Sequence, residues 1–459
     1  MTASAPNEAG QAAEGARKRF WCELAWLGGE SVAEGVTVEV EGERIASVAT
    51  GVGDPPPAAI RLEGLTIPGL ANAHSHAFQR ALRGRTQTGR GDFWTWREAM
   101  YELAARLDPD QYLRLARATY GEMALAGITC VGEFHYLHHG PDGIPYEDPN
   151  AMGRAAIQAA REAGIRITLL DACYLRGGIG RELEGAQRRF GDGDADRWAE
   201  RVGGLEGDAD TRIGAAIHSV RAVDPDSAAI VAAWADGRDA PLHAHVSEQT
   251  AENAACLETY GTTPTELLSR AGALGERFVA VHGTHLDDPD FALLGGARAT
   301  CCLCPTTERD LADGIGEAER MRRDGIALSL GSDSHAVIDL FEEARAVELD
   351  ERLETNERGR NPATALLEAA TAAGHRCLGW HDAGRIEPGV IADLVTVDLD
   401  TPRLAGTDAA RAVASLVFAA TAADVRWVIA GGREIVRGGR HTELDVSAEL
   451  DAAITEVWR

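Results

Sequence analysis

Seven short apolar runs, spaced by stretches of helical periodicity, constrain this chain more than any other feature of its sequence. They are Ile128 to Glu133, Ile165 to Ala172, Arg212 to Ile217, Leu242 to Val246, Phe278 to His282, Thr300 to Cys304 and Ile326 to Leu330. Amphipathic segments accompany them at Pro109 to Ala126, Asn150 to Ala163, Ser227 to Asp236, Pro264 to Ala273 and Asn361 to Ala373. A run too apolar to keep one face wet, followed by a helix, is the pattern of a parallel βα unit. One more strand is expected before His74, where the run Leu65-Thr66-Ile67 stops at Pro68-Gly69. That makes eight, the number that closes an α/β fold of the (β/α)8 TIM-barrel type.

The two ends have a different texture. Residues 1–18, rich in Ala, Gly and Glu, read as a disordered arm. Short β-like pieces follow at Phe20 to Leu27, Val36 to Val40 and Ile45 to Val48, and return at Gly384 to Val397, Val425 to Ile429 and Glu434 to Val436. The simplest assembly is a small β-sandwich domain built from residues 19–67 plus 385–459, attached to a barrel over 68–384.

A formal net charge of -27 argues against nucleic acid or an anionic membrane as partner, since clustered positive charge drives both interactions. No stretch approaches the ~18 uninterrupted apolar residues of a membrane span. Met1 to Lys18 lacks the apolar core of a signal peptide, so a cytoplasmic protein is expected. Eight cysteines in 459 residues do not suggest a disulfide framework. Cys301, Cys302 and Cys304 fall in an apolar run ended by Pro305 and read as small hydrophobes of a buried strand.

In such barrels chemistry sits at the C-terminal ends of the strands, and here nearly every candidate strand ends in a reactive group. In extended chain, residues i and i+2 project to one side, so His74 and His76 can face a single cavity. Together they can bind one divalent metal ion, zinc first by ligand type and iron possible. A lone His-x-His also fits two solvated side chains, but the rest of the sequence supplies further ligands in order. His74, His76, His245 and Asp333 provide three imidazoles and a carboxylate, leaving one position for a water whose pKa such a cation lowers to about 7. Glu248, three residues past His245, can carry a proton to a departing nitrogen. Asp333 can also take the proton of the attacking water, and His282 can polarise the atom under attack. His243 and His285 read as structural, and Asp333 after Gly331-Ser332 also fits a helix cap.

With these residues in view, positions 60–400 resemble the amidohydrolase superfamily, which carries His-x-His after strand one, His after strands five and six, and Asp after strand eight. Many of its members add a carboxylated lysine after strand four. Here that segment, Ile213 to Ile217, ends in His218, and Lys18 is the only lysine in the chain. The resemblance is therefore to the mononuclear deaminase branch, whose His-x-x-Glu after strand five is matched by His245 and Glu248.

More narrowly, the strings Ala73 to Arg80, Gly132 to His139, His218 to Ala222 and His243 to Gln249 resemble the N-formimino-L-glutamate deiminase family of bacterial histidine breakdown. This implies metal-dependent hydrolysis of a small dicarboxylate, N-formimino-L-glutamate, to N-formyl-L-glutamate and ammonia by a homodimer. It also implies that Gln79, Arg97, Tyr136, His218 and Arg221 bind the two carboxylates and the formimino group. Arginine suits that task because its paired N–H donors match a carboxylate's two oxygens, although Arg97 alone also reads as half of a surface ion pair. The alternatives are a deaminase of a purine or another amidine or guanidine compound, a ring hydrolase such as an imidazolonepropionase, and a non-catalytic scaffold. A scaffold would be expected to lose ligands, and none of the four is missing.

Overall fold

The computed structural model describes residues 17–88, 90–91 and 93–459. The expected N-terminal arm lies outside them except for Arg17 and Lys18, and Lys18 already opens the first strand. Four strands come first, β1 (Lys18–Ala25), β2 (Ala33–Glu41), β3 (Arg44–Ala49) and β4 (Ile60–Pro68). Eight follow in the middle of the chain: β5 (Leu70–Ser75), β6 (Ile128–His135), β7 (Arg166–Cys173), β8 (Thr211–Ile217), β9 (Leu242–Val246), β10 (Phe278–His282), β11 (Thr300–Leu303) and β12 (Ala327–Leu330). The last four are β13 (Leu394–Val397), β14 (Val425–Ala430), β15 (Arg433–Arg437) and β16 (Arg440–His441).

Strands β5 to β12 form one parallel sheet in sequence order, rolled into a nearly closed barrel. Every residue of β5, β6, β7, β9, β10 and β11 is buried, because one face meets the barrel interior and the other meets helices. That double burial is why these strands read as unbroken apolar runs. Several returning helices start on a capping side chain followed by proline: Asp108 before Pro109, Asp224 before Pro225, and Thr263 before Pro264. The cap accepts a backbone N–H that the first turn leaves unpaired, and proline gives up an N–H that has no partner there.

The expected position of the first barrel strand is corrected. The run Leu65-Thr66-Ile67 lies in β4, which pairs with β1 and β13 in the second sheet, and the barrel strand is β5, with His74 inside it. The chain changes sheets at Pro68-Gly69. A Cβ on Gly69 would collide with the Thr129 side chain and lie 2.7 Å from Cβ of Asp393, so glycine alone passes between them.

The second sheet is mixed, in the order β16-β15-β14-β13-β4-β1-β2-β3, and both chain ends contribute to it. Its halves curl toward each other like the faces of a sandwich: Ile45 N–H donates to the Val390 carbonyl (2.9 Å) and Ala392 N–H to that of Glu43 (2.8 Å). Between them lies an apolar cluster that includes Phe20, Val38, Leu62, Leu394 and Ile429. The final helix, Val446–Val457, does not join this sheet as the 385–459 assignment expects. It packs Val446 and Leu450 on Ala118 of the barrel helix Pro109–Leu125, and Arg114 and Arg117 pair with Glu456 and Glu449. Among the described residues no helix is long and apolar enough to cross a membrane.

Asp393 joins sheet to barrel. Its buried carboxylate accepts from both terminal nitrogens of Arg166 on β7, from Thr129 Oγ1 on β6 (2.9 Å) and from the Gly431 N–H in the β14–β15 turn (2.9 Å). Burial opposes the charge, but the Arg166 guanidinium outweighs it and holds the Asp393 pKa below the usual carboxylate range. Removing one member of a buried pair strands the other charge in a low dielectric. Asp393→Ala is therefore expected to cost about 3–5 kcal/mol of stability, read as a lower urea midpoint with an unchanged slope. An unshifted midpoint would show that this contact does not brace the two sheets.

Candidate active site

The barrel closes at its C-terminal mouth through the candidate metal ligands. Asp333 N–H donates to the His74 carbonyl (3.0 Å) and His76 N–H to the Asp333 carbonyl (3.2 Å), joining the end of β5 to the end of β12. Asp333 holds φ at +45° and His282, ending β10, holds +71°. Both are left-handed conformations that a residue with a Cβ adopts only when its surroundings impose them.

Four side chains meet above this seam. His74 Nε2 lies 3.2 Å from His245 Nε2 and 3.2 Å from Asp333 Oδ1, and His76 Nε2 lies 3.4 Å from that oxygen. His76 Nδ1 donates to the Phe134 carbonyl (2.8 Å) and His245 Nδ1 to the His218 carbonyl (2.8 Å). Those bonds put the ring hydrogen on Nδ1 and leave each Nε2 with a bare lone pair, the arrangement that orients imidazole ligands. Burial and neighbouring imidazoles hold His74 and His245 well below the ordinary histidine pKa, and burial also lowers His76. Lone pairs and a carboxylate oxygen thus face one point with no hydrogen between His76 and Asp333. His74, His76 and His245 bring ligand atoms within 4.8 Å of one another, and Asp333 forms a second such group with His74 and His282, so the donor types and their overlap suit one divalent cation.

A buried polar chain fixes the ligand segments from behind. Asn72 Nδ2 donates to Ser332 Oγ (2.7 Å), and Ser332 Oγ lies 3.0 Å from His335 Nδ1. On the other side of that ring Nε2 lies 3.1 Å from Ser75 Oγ, which donates to Glu133 (2.6 Å). Glu133 also accepts from the Ala77 N–H (2.8 Å) and Tyr112 OH (3.1 Å), and burial pushes its pKa up to about 7. Ser75 and Ala77 flank His76, so Glu133 grips the ligand segment on both sides of that residue.

The proton-handling groups lie on the open side. The His282 ring stacks on that of His245 (centroids 5.5 Å, 13° apart). Its Nε2 is 3.8 Å from Glu248 Oε1 and 3.9 Å from Asp333 Oδ2, and its Nδ1 is 3.3 Å from Glu308 Oε1. Burial disfavours charge on this ring, yet the surrounding carboxylates prevail and raise its pKa to about 10. Glu248 accepts from Arg221 Nη2 (2.8 Å), and Arg221 Nε lies 3.0 Å from Glu252. His243 and His285 instead bond backbone carbonyls, those of Cys377 and Asp313.

A small cavity opens over these groups. All the expected site residues line it, Gln79, Arg97, Tyr136, His218 and Arg221 included, except His74, which is fully buried beneath. Gln79 Nε2 donates to Tyr136 OH (2.8 Å), and Arg97 lies over the rings of Trp94 (4.5 Å) and Tyr101 (5.4 Å). Sequence reasoning missed the helix Phe93–Arg106, whose Phe93, Trp96, Arg97, Met100 and Tyr101 form one wall. Their i, i+3, i+4, i+7, i+8 spacing was the available signal; this face lines the cavity, while Met100, Leu103 and Ala104 also pack into the barrel core. Tyr174 and Arg176, just past β7, and the acids Glu252 and Glu308 were missed too, because only the fold brings them here.

A sequence model of the amidohydrolase family matches residues 65–435. The chain is 38% identical over 404 residues to formimidoylglutamate deiminase of Pseudomonas aeruginosa, covering 85% of this chain and 88% of that protein. It is 31% identical over 413 residues to the 5-methylthioadenosine/S-adenosylhomocysteine deaminase of Natronomonas pharaonis, covering 89% of each. Among solved structures, an amidohydrolase from Brucella melitensis superposes with a TM-score of 0.89 at 33% identity over 96% of this chain and 100% of that one. An adenosine deaminase from Xanthomonas campestris, solved with bound zinc, shares the fold with a TM-score of 0.83 at 24% identity, over 95% of this chain and 97% of that one. The chain belongs to the amidohydrolase family, and within it is a deaminase, a hydrolase of carbon–nitrogen bonds.

Proposed function

We propose that this enzyme hydrolyses N-formimino-L-glutamate to N-formyl-L-glutamate and ammonia, using one zinc ion held by His74, His76, His245 and Asp333. The observation that carries the reading is the placement of Arg97, Arg176 and Arg221 around one space with the candidate ligand set, Arg176 and Arg221 also pairing with carboxylates of the chain. A dianion is the guest that three guanidiniums in one mouth suit. The relative from Pseudomonas aeruginosa supports the same choice. The homodimer that accompanies this reading rests on the family resemblance.

Held by these residues, a divalent cation would make a water acidic enough to attack at neutral pH. Asp333, with Oδ1 turned to the histidines and Oδ2 toward His282, takes the proton of that water as its oxygen bonds to the formimino carbon. His282, carrying hydrogen on Nε2 between Glu248 and Asp333, donates to the polar atom of the substrate under attack. Glu248, steadied by Arg221, delivers a proton to the terminal nitrogen. The proton taken by Asp333 passes to the same nitrogen, the carbon–nitrogen bond breaks with its electrons on nitrogen, ammonia leaves, and the new hydroxyl returns a proton to Glu248 as the carbonyl of the formyl product forms. Gln79, Tyr136 and His218 line the wall that holds the formimino group, with Arg97 and Arg221 on the carboxylates.

The aromatic wall of Phe93, Trp96, Tyr101 and Tyr174 favours a second reading, deamination of a flat purine nucleoside, which suits the relative from Natronomonas pharaonis. Ammonia release from N-formimino-L-glutamate, S-adenosylhomocysteine and guanine separates the two, and the first is expected to exceed the others by about a thousandfold or more in kcat/KM. Arg97→Ala is expected to raise KM for the dianion roughly tenfold or more and leave metal content unchanged. Equal turnover of a purine would overturn the choice of substrate. His245→Ala is expected to lose bound metal by elemental analysis and at least about a thousandfold of kcat, without added zinc restoring it. Full activity in the metal-free protein would sink the hydrolytic mechanism.

A further inference from the structure

Glu252 belongs to no ligand set and does not line the cavity, yet it is a fully buried carboxylate in the first turn of the helix Thr250–Tyr260. Its Oε2 lies 3.0 Å from Nε of Arg221, and its Oε1 accepts the N–H of Ser247 (3.3 Å), a residue held at φ +51° between His245 and Glu248. Arg221 also donates through Nη2 to Glu248 (2.8 Å), so one guanidinium stands between two acids, hydrogen-bonded to Glu248 and in charge contact with Glu252. Nη1 is the remaining donor group on a side chain that lines the cavity.

An arginine facing a single carboxylate closes its fork on it through two parallel bonds. Facing Glu248 alone, Arg221 would turn both terminal nitrogens onto that acid, withdraw Nη1 from the cavity and blunt the proton donor. Such a turn would carry Nε away from the Glu252 carboxylate 3.0 Å from it, and that charge contact holds the guanidinium against it. We infer that Glu252 is a positioning residue, holding Arg221 so that it steadies Glu248 with one nitrogen and offers the other to a substrate carboxylate. This role rests on the proposed reading of the substrate as a dianion.

The test is Glu252→Gln, which keeps the shape and removes the charge, assayed on three substrates: N-formimino-L-glutamate, N-formiminoglycine and N-formimino-γ-aminobutyrate. The two monoanions each lack one carboxylate. KM for the dianion is expected to rise roughly tenfold or more with a smaller change in kcat, as for loss of a buried charge contact. The same rise is expected for the monoanion that keeps the carboxylate held by Arg221, and not for the other. Zinc content stays at the wild-type value, and Glu252→Gln combined with Arg221→Gln is no worse than Arg221→Gln alone, because the first residue acts through the second. An unchanged KM for the dianion, an equal rise for all three substrates, or additive effects in the double variant would overturn the role. If Glu252→Gln does not fold, Glu252→Asp, which keeps the charge at a shorter reach, is expected to give the same pattern at smaller amplitude. Absence of turnover by the wild type would instead overturn the substrate reading itself.

Discussion

The pair of backbone hydrogen bonds between His74, Asp333 and His76 is the constraint on which the site depends. A parallel barrel must close on itself, and this one closes at the two strand ends that carry candidate ligands from positions about as far apart in the chain as the barrel allows. The same bonds that complete the sheet set the separation between the His74 and Asp333 side chains, so ligand geometry does not depend on flexible loops. The left-handed backbone at Asp333 and His282 is the local cost of turning side chains inward at strand ends, and the surrounding hydrogen bonds sustain it.

Around that seam the protein arranges charge in layers. The imidazoles are buried and neutral, as ligands must be. Behind them, Glu133, Ser75, His335, Ser332 and Asn72 form a chain with each hydroxyl and ring nitrogen in use, which locks the segments on either side of the seam to one another. In front, His282 stands among carboxylates and Arg221 between two more. A chain of net charge -27 repels anions at long range, so the arginines of the mouth act on a dianion only at close quarters, within about a Debye length of 8–10 Å. At the opposite face of the barrel, Asp393 and Arg166 bind the terminal sheet, keeping stability and chemistry at separate ends of the strands.

The legible part of the site was the part written at strand ends. Because each strand is buried on both faces, its apolar run stops where the chain reaches the mouth, and a histidine or aspartate at that stop stands out, as at His245, His282 and Asp333. The first strand was misplaced because two apolar runs flank Pro68-Gly69, and composition cannot say which of them pairs with which sheet. The helix Phe93–Arg106 escaped notice because a helix that lines a cavity has the same period as one that covers a core. Glu252 and Glu308 were not legible: each is one acid among many in an acidic chain until a guanidinium or an imidazole stands beside it.

The amino-acid sequence by itself determined the βα alternation, the eightfold count and the candidate ligands at the strand ends, since these depend on local pattern and on the scarcity of histidine there. Only the tertiary structure decided which sheet receives each apolar run, that the ring closes through the ligands themselves, and which acids flank His282 and Arg221. Those are contacts between residues far apart in the chain, and the free energy that selects them comes from burial and charge pairing, which exist only once the barrel has formed.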